Sequence, residues 1–306
     1  MKHTLISTLV LCAAIAGCSS DSDTTAANTD GRTNPTEVEV APTAFNIANQ
    51  CVAIQSLANS KFISLNTDGT YGVSQATAGN AAPFFMKPTS LGKYMIYNRD
   101  QAMMRASGNA AGVPVNSSTA FSDSVEWAVQ EDENGRSGFS MLNTGNNMKL
   151  AVLSLSDELA TVERSGNSEE TLFQFVKTTG CAEFPEISTN TNGRTFAGAG
   201  LNKAVKGFAD VHNHITATTF LGGAHHGTPH HRFGVTQALG SCEANHGPMG
   251  RLDLVENLFK FSPQASHDTE GWPTFRSWPA ADSLTHEGLY YKWLERAWQA
   301  GLRIFV

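Results

Sequence analysis

Six of the ten histidines lie between Phe208 and His231, in the stretch FADVHNHITATTFLGGAHHGTPHH. Its opening has short-period alternation: Phe208, Asp210, His212 and His214 fall on one side of an extended segment, Ala209 and Val211 on the other. Two imidazoles at i and i+2 on one strand face can reach one metal ion, and imidazole suits zinc and similar divalent cations. Asp210 is placed to orient a ligand from behind. Such a pair supports hydrolysis: a divalent ion lowers the pKa of a bound water to about 7 and polarises the carbonyl or phosphoryl group under attack. His212 and His214 are therefore assigned as metal ligands, Asp210 as a supporting residue and zinc as the expected cofactor.

His225, His226, His230 and His231 follow in a turn marked by Gly227 and Pro229. Neighbouring pairs in a loop cannot all face one ion. One or two can line a pocket; the alternative is a set of solvated loop histidines. His246, in NHGPMG, is a similar pocket candidate. Cys242 reads as a ligand or as a buried thiol.

Asp-x-His-x-His after a short strand resembles the opening motif of the amidohydrolase superfamily. The stretches GGAHHGTPHH, SCEANHGPMG, EGWPTFRSWP and DSLTHEGLYYKWLERAWQAGLRIFV are similar to those of secreted bacterial metallohydrolase-like proteins. The resemblance implies a (β/α)8 barrel with His212 and His214 at the C-terminal end of its first strand, where active sites of that fold lie. It further implies metal-activated water attacking an amide, ester or phosphoester-type bond of a small-molecule or glycan substrate. A helix signal begins at Ser283, with Leu289, Trp293 and Ala297 at i+4 spacing and Gly301 just past its end. Leu302 to Val306 reads as the next strand. A whole barrel takes roughly 250 residues. Residues 204–306 are therefore expected to be the N-terminal portion of a truncated barrel, inactive as this chain, without the later ligands and the general base.

What precedes the histidines is organised differently. Three segments align without gaps: AIQSLANSKFISL from Ala53, MIYNRDQAMMRAS from Met95 and MLNTGNNMKLAVL from Met141. Ile54, Ile96 and Leu142 match, as do Phe62, Met104 and Leu150, with shifts of 42 and then 46 residues. Phe85, Trp127 and Phe173 keep the same period. Three markers with one period signal an internal repeat. Each unit reads as four short strands bounded by Asn, Asp, Gly and Ser turns. One unit cannot cover its own apolar face; three close a shared core and remove exposed edges.

This pattern resembles the β-trefoil of ricin-like and fascin-like modules, and the resemblance implies an all-β domain over residues 44–184. In a trefoil the first and last strands are neighbours, so it also implies a Cys51–Cys181 disulfide; the alternative is two free buried thiols. Many trefoils bind sugars, but the Gln-x-Trp signature of ricin-type repeats is absent. A non-catalytic surface module that binds carbohydrate or protein is therefore the alternative to the hydrolase.

At the amino end, Lys2 precedes an apolar run from Leu5 to Gly17, too short to span a bilayer, which takes about 20 residues. It fits a secretory signal over residues 1–17. Ile15-Ala16-Gly17-Cys18 resembles the bacterial lipoprotein cleavage box, which implies lipidation of Cys18 and membrane attachment through that lipid. Ser19 after it implies the outer membrane. Residues 18–43 are polar, acidic and poor in aromatics, a composition expected of a disordered tether; residues 185–203 read as a second linker. A formal charge of −7 argues against a nucleic-acid partner. The whole reads as a two-domain cell-envelope chain: an all-β trefoil, then an α/β segment that is an incomplete (β/α)8 barrel.

Overall fold

A computed structural model of the chain describes residues 43–186, 191–213, 215–216, 228–239, 247–248, 251–252, 257–258, 261 and 290–306. Residues 51–177 form twelve strands: β1 (Cys51–Ser56), β2 (Phe62–Leu65), β3 (Tyr71–Gln75), β4 (Phe84–Ser90), β5 (Lys93–Tyr97), β6 (Met103–Ala106), β7 (Val113–Ser118), β8 (Glu126–Glu131), β9 (Phe139–Asn143), β10 (Lys149–Val152), β11 (Leu159–Val162) and β12 (Phe173–Lys177). Strands β1, β4, β5, β8, β9 and β12 pair in a closed antiparallel ring. The remaining six form three hairpins, β2–β3, β6–β7 and β10–β11. Each hairpin touches the other two, through the β7–β11 pairing and the bridges Thr70–Asn116 and Gly72–Glu158. A six-stranded barrel capped by a triangle of hairpins is a β-trefoil. Gly72 sits where two hairpins approach closely, since a Cβ there would lie 3.0 Å from the Asp157 carbonyl oxygen.

The core repeats threefold. Ile54, Ile96 and Met141 face inward opposite Phe175, Met86 and Val129. Beside them, Val52, Tyr94 and Phe139 oppose Phe84, Trp127 and Phe173. The hairpins add Ile63, Met104 and Leu150. Burying each such side chain contributes roughly 1.5–3 kcal/mol. The two buried polar tips are bonded: Trp127 Nε1 donates to the Met104 carbonyl at 2.9 Å and Tyr94 Oη to the Ala44 carbonyl at 2.7 Å.

This layer corrects the ungapped register. Leu142, Phe62 and Phe85 lie outside that core; their neighbours Met141, Ile63 and Phe84 occupy the equivalent positions. The strand period is 2, so a slip of one residue turns a side chain to the opposite face. A register irregularity between Phe62 and Ile63 locally accounts for one of the three.

Cys51 and Cys181 are joined by a disulfide with a Cα–Cα distance of 5.8 Å. Beyond it the chain stays on the barrel. Phe184 packs with Phe85, Tyr97 and Phe233, and Glu186, within the segment expected as a linker, is buried.

Residues 204–306 were expected to begin a (β/α)8 barrel. The described residues there carry β13 (Phe208–Asp210), α1 (Val235–Leu239), α2 (Tyr291–Ala300) and β14 (Leu302–Phe305). Strands β13 and β14 pair in parallel as a two-stranded sheet. Among the described residues no further barrel strand is present. Gly301 ends α2 in the left-handed region at φ 119°, its N–H bonded back to Ala297 and Trp298. Val235, Ala238, Tyr290 and Trp293 form a small separate core. Among the described residues no helix is long and apolar enough to cross a membrane.

Candidate ligand-binding groove

Strand β13 ends at Asp210, so the alternation expected through His214 stops before either histidine. The cause is local. Asp210 turns its carboxylate onto the following backbone, accepting from the His212 N–H at 3.2 Å and, at 3.5 Å, from the Asn213 side-chain amide. Such a turn competes with an extended strand. His212 is exposed. His214, His225, His226, His246 and Cys18 lie outside the described residues.

The described loop histidines make aromatic contacts. The His230 ring lies 6.0 Å from that of Tyr291, and the His231 ring 5.4 Å from that of Phe233. His231 Nδ1 accepts the Phe233 N–H at 3.1 Å. Burial, then the charge of Arg232 and the neighbouring His230, hold the His231 pKa below its ordinary value. Among the described residues no group of three or more His, Cys, Asp or Glu side chains is placed to hold a metal ion.

A different set of residues forms a groove of about 700 Å³ on the trefoil. Its position is fixed by the buried Asn143 at the end of β9. The Asn143 amide donates to the carbonyls of Ser124 at 2.8 Å and Glu126 at 3.2 Å, and its oxygen accepts the N–H groups of Gly145 and Asn146. Gly145 is required for this closeness, because a Cβ would sit 2.8 Å from the Ser124 nitrogen. Asn146 Nδ2 then donates to the Gly108 carbonyl at 2.6 Å, drawing the β6–β7 loop alongside.

The third wall comes from the C-terminal segment. Arg232 pairs with Asp123 and donates to Glu126 Oε2 at 3.3 Å, while Thr144 donates to the same oxygen at 2.8 Å. The Arg232 guanidinium lies 4.5 Å from the Phe233 ring centroid. On the floor, Arg105 projects from the outer face of β6. Its Nε is buried without a hydrogen-bond partner among the described residues. The lining thus combines an open guanidinium, amide and hydroxyl groups and one aromatic ring. Among the described lining residues none is a histidine or a cysteine.

None of these residues was singled out in the sequence. One signal was available: in the ungapped alignment Arg105 falls against Ile63 and Ala151, a cation in an otherwise apolar column.

A smaller cleft of about 320 Å³ opens where α2 meets the barrel. Glu186 is central to it, 3.0 Å from Lys87 Nζ and accepting hydrogen bonds from Tyr290 and Tyr291.

No protein-family model matches the chain, and no curated protein does. Solved structures similar to it include the designed threefold-symmetric protein ThreeFoil, at 13% identity over 42% of this chain and 99% of that one, with a TM-score of 0.38. A Polyporus squamosus lectin bound to a human-type influenza-binding epitope is 15% identical over 42% of this chain and 49% of its own, with a TM-score of 0.37. SeviL bound to asialo-GM1 saccharide is 17% identical over 42% of this chain and 98% of its own, with a TM-score of 0.36.

Proposed function

We propose that this chain is a non-catalytic carbohydrate-binding β-trefoil protein whose saccharide site is the groove floored by Arg105 and Asn146. The observation that carries this reading is the lining itself. Amide, guanidinium and hydroxyl groups converge around about 700 Å³ of open space. That is within the range of small-molecule sites, roughly 300–1,000 Å³. Sugar hydroxyls are paired donors and acceptors, which such planar side chains engage. The test is a glycan array probed with the folded chain, followed by calorimetry on the hits. Asn109→Ala and Asp123→Asn, both on the groove surface, should weaken binding. An array without signal from folded protein would overturn the reading.

A metal-dependent hydrolase is a second reading, motivated by the parallel β13–β14 pair with Asp210 and His212 at its end. In that reading His212 and His214 hold zinc. Loss of zinc binding in a His212→Ala/His214→Ala variant would support it; unchanged zinc binding would remove it. Attachment to the outer membrane through a lipid on Cys18 is also part of the proposal. Radiolabelled fatty acid should enter the chain in cells and be lost in Cys18→Ser.

A further inference from the structure

The three hairpins of the trefoil are equivalent, and the cross-strand pairs next to their core residues Ile63, Met104 and Leu150 can be compared directly. On β2–β3 the cross-strand pair is Ser64 and Gly72; on β10–β11 it is Ala151 and Ala160. On β6–β7 it is Arg105 and Asn116. Two hairpins thus carry small neutral residues where the second carries a long cation opposite an amide. Threefold packing imposes no such choice, since the other two repeats fold without it.

The pair is also unsatisfied, and Arg105 of the two lines the groove. Arg105 Nε and Asn116 Oδ1 are both buried without hydrogen-bond partners among the described residues. They lie on directly opposed residues and do not bond one another. Among the described residues no carboxylate pairs with Arg105; Asp123 and Glu126 pair with Arg232. A partly buried guanidinium without a counter-ion is costly unless a ligand supplies one. The fixed fork of guanidinium donors matches a carboxylate.

We infer that Arg105 anchors a carboxylate of the ligand, so that the groove selects acidic saccharides over neutral ones. This deepens the saccharide reading and rests on it. The formal charge of −7 offers no long-range attraction for an anion, so the preference comes from contact.

The experiment is calorimetry of the full chain with two probes: a tetrasaccharide of alternating glucuronic acid and N-acetylglucosamine, and the same tetrasaccharide with its carboxyls reduced to alcohols. The acidic probe should bind at least about tenfold more tightly, the difference made by one charge-assisted contact. The advantage should shrink as salt is raised. Arg105→Gln should abolish the preference, bringing the two probes to equal affinity, and Arg105→Lys should restore only part of it. Equal binding of the two probes by the wild-type chain would overturn the inference and leave the saccharide reading standing, as would an unchanged preference in a folded Arg105→Gln variant. Failure of both probes, with an array without signal, would remove both.

Discussion

The Tyr291 hydroxyl donates to Glu186 Oε1 at 2.7 Å, although 105 positions separate the two residues. The other carboxylate oxygen lies 3.0 Å from Lys87 Nζ on β4. Glu186 thereby couples α2 to the barrel through a buried charge pair. Its burial alone would raise the carboxyl pKa; the Lys87 ammonium, then the Tyr290 and Tyr291 hydroxyls, reverse this and hold it below the ordinary value. Burial, reinforced by Glu186, pushes both phenols well above the usual tyrosine range, so they remain donors.

Removing one partner of a buried charge pair costs about 3–5 kcal/mol. Glu186→Gln keeps acceptors for the tyrosines but loses the charge, so the expected loss is at the lower end, about 3 kcal/mol. Because the folded pKa is depressed, the contribution is present above the unfolded value of about 4.3 and is lost as pH falls through the folded one. Urea titrations of wild type and variant should therefore differ at neutral pH and converge in acid. A constant difference at every pH would count against the charge pair.

His231 titrates with the same sign in a higher window. Its Nδ1 accepts a backbone N–H and so is unprotonated in the fold, and its pKa is depressed by burial and by Arg232. Stability present above about pH 6.5 should decline as pH falls through the folded pKa. His231→Asn, whose amide oxygen can replace Nδ1 as acceptor, should flatten the melting temperature between neutral and mildly acidic pH. An identical slope in the variant would discard this assignment.

The Cys51–Cys181 bond closes a loop of sequence separation 130. In the chain-entropy model a closure of that length contributes about 4–5 kcal/mol. Thermal melts with and without reductant should show a large drop, matched by a Cys51→Ala/Cys181→Ala variant that no longer responds to reductant. Equal melting in both conditions would make the bond a bystander.

Repeat equivalence makes a further pair of predictions. Asn98 and Asn143 follow Ile96 and Met141 by two positions, and each ties its turn with side-chain bonds to backbone N–H groups. Ser56 holds the same place after Ile54, and its Oγ is buried without a partner among the described residues. Asn143→Ala should cost about 3 kcal/mol through several orphaned backbone groups. Ser56→Ala should be neutral or stabilise by up to about 1 kcal/mol. Chemical denaturation of the two variants decides it; a large loss in Ser56→Ala would contradict the inventory of bonds.

The same turns contain Ser60, Gln101 and Asn147 at φ of 57°, 60° and 58°. A left-handed backbone suits asparagine or glycine and penalises a residue such as glutamine by roughly 1–2 kcal/mol. Gln101→Gly should raise stability by about 0.5–1 kcal/mol after the entropic cost of glycine. A lower melting temperature in that variant would refute the repeat assignment at this turn.

The trefoil was legible because its period is carried by many residues. Ile54, Ile96 and Trp127 announce it even when neighbours slip. The slips at Phe62, Phe85 and Leu142 were not legible, because two adjacent apolar residues do not reveal which one faces the barrel. Asp210 misled for a related reason: alternation promised a strand, whereas a short carboxylate can turn the backbone instead. Glu186 and Arg232 were invisible for a deeper reason. Their partners Tyr291, Asp123 and Glu126 lie about a hundred positions away, and nothing local encodes such a contact. Arg105 was visible as an odd residue in its column, but its meaning depends on a groove built by three distant segments.

Strand β12 closes on β1, and the disulfide brings residues 51 and 181 within 5.8 Å of one another at that seam. The first and last strands of the ring therefore meet at one seam. Such a module behaves like a closed ring with a single removable join. Circular permutation is its natural consequence: linking 51 to 181 and opening the exposed turn at Asn134 would leave every pairing among β1–β12 intact.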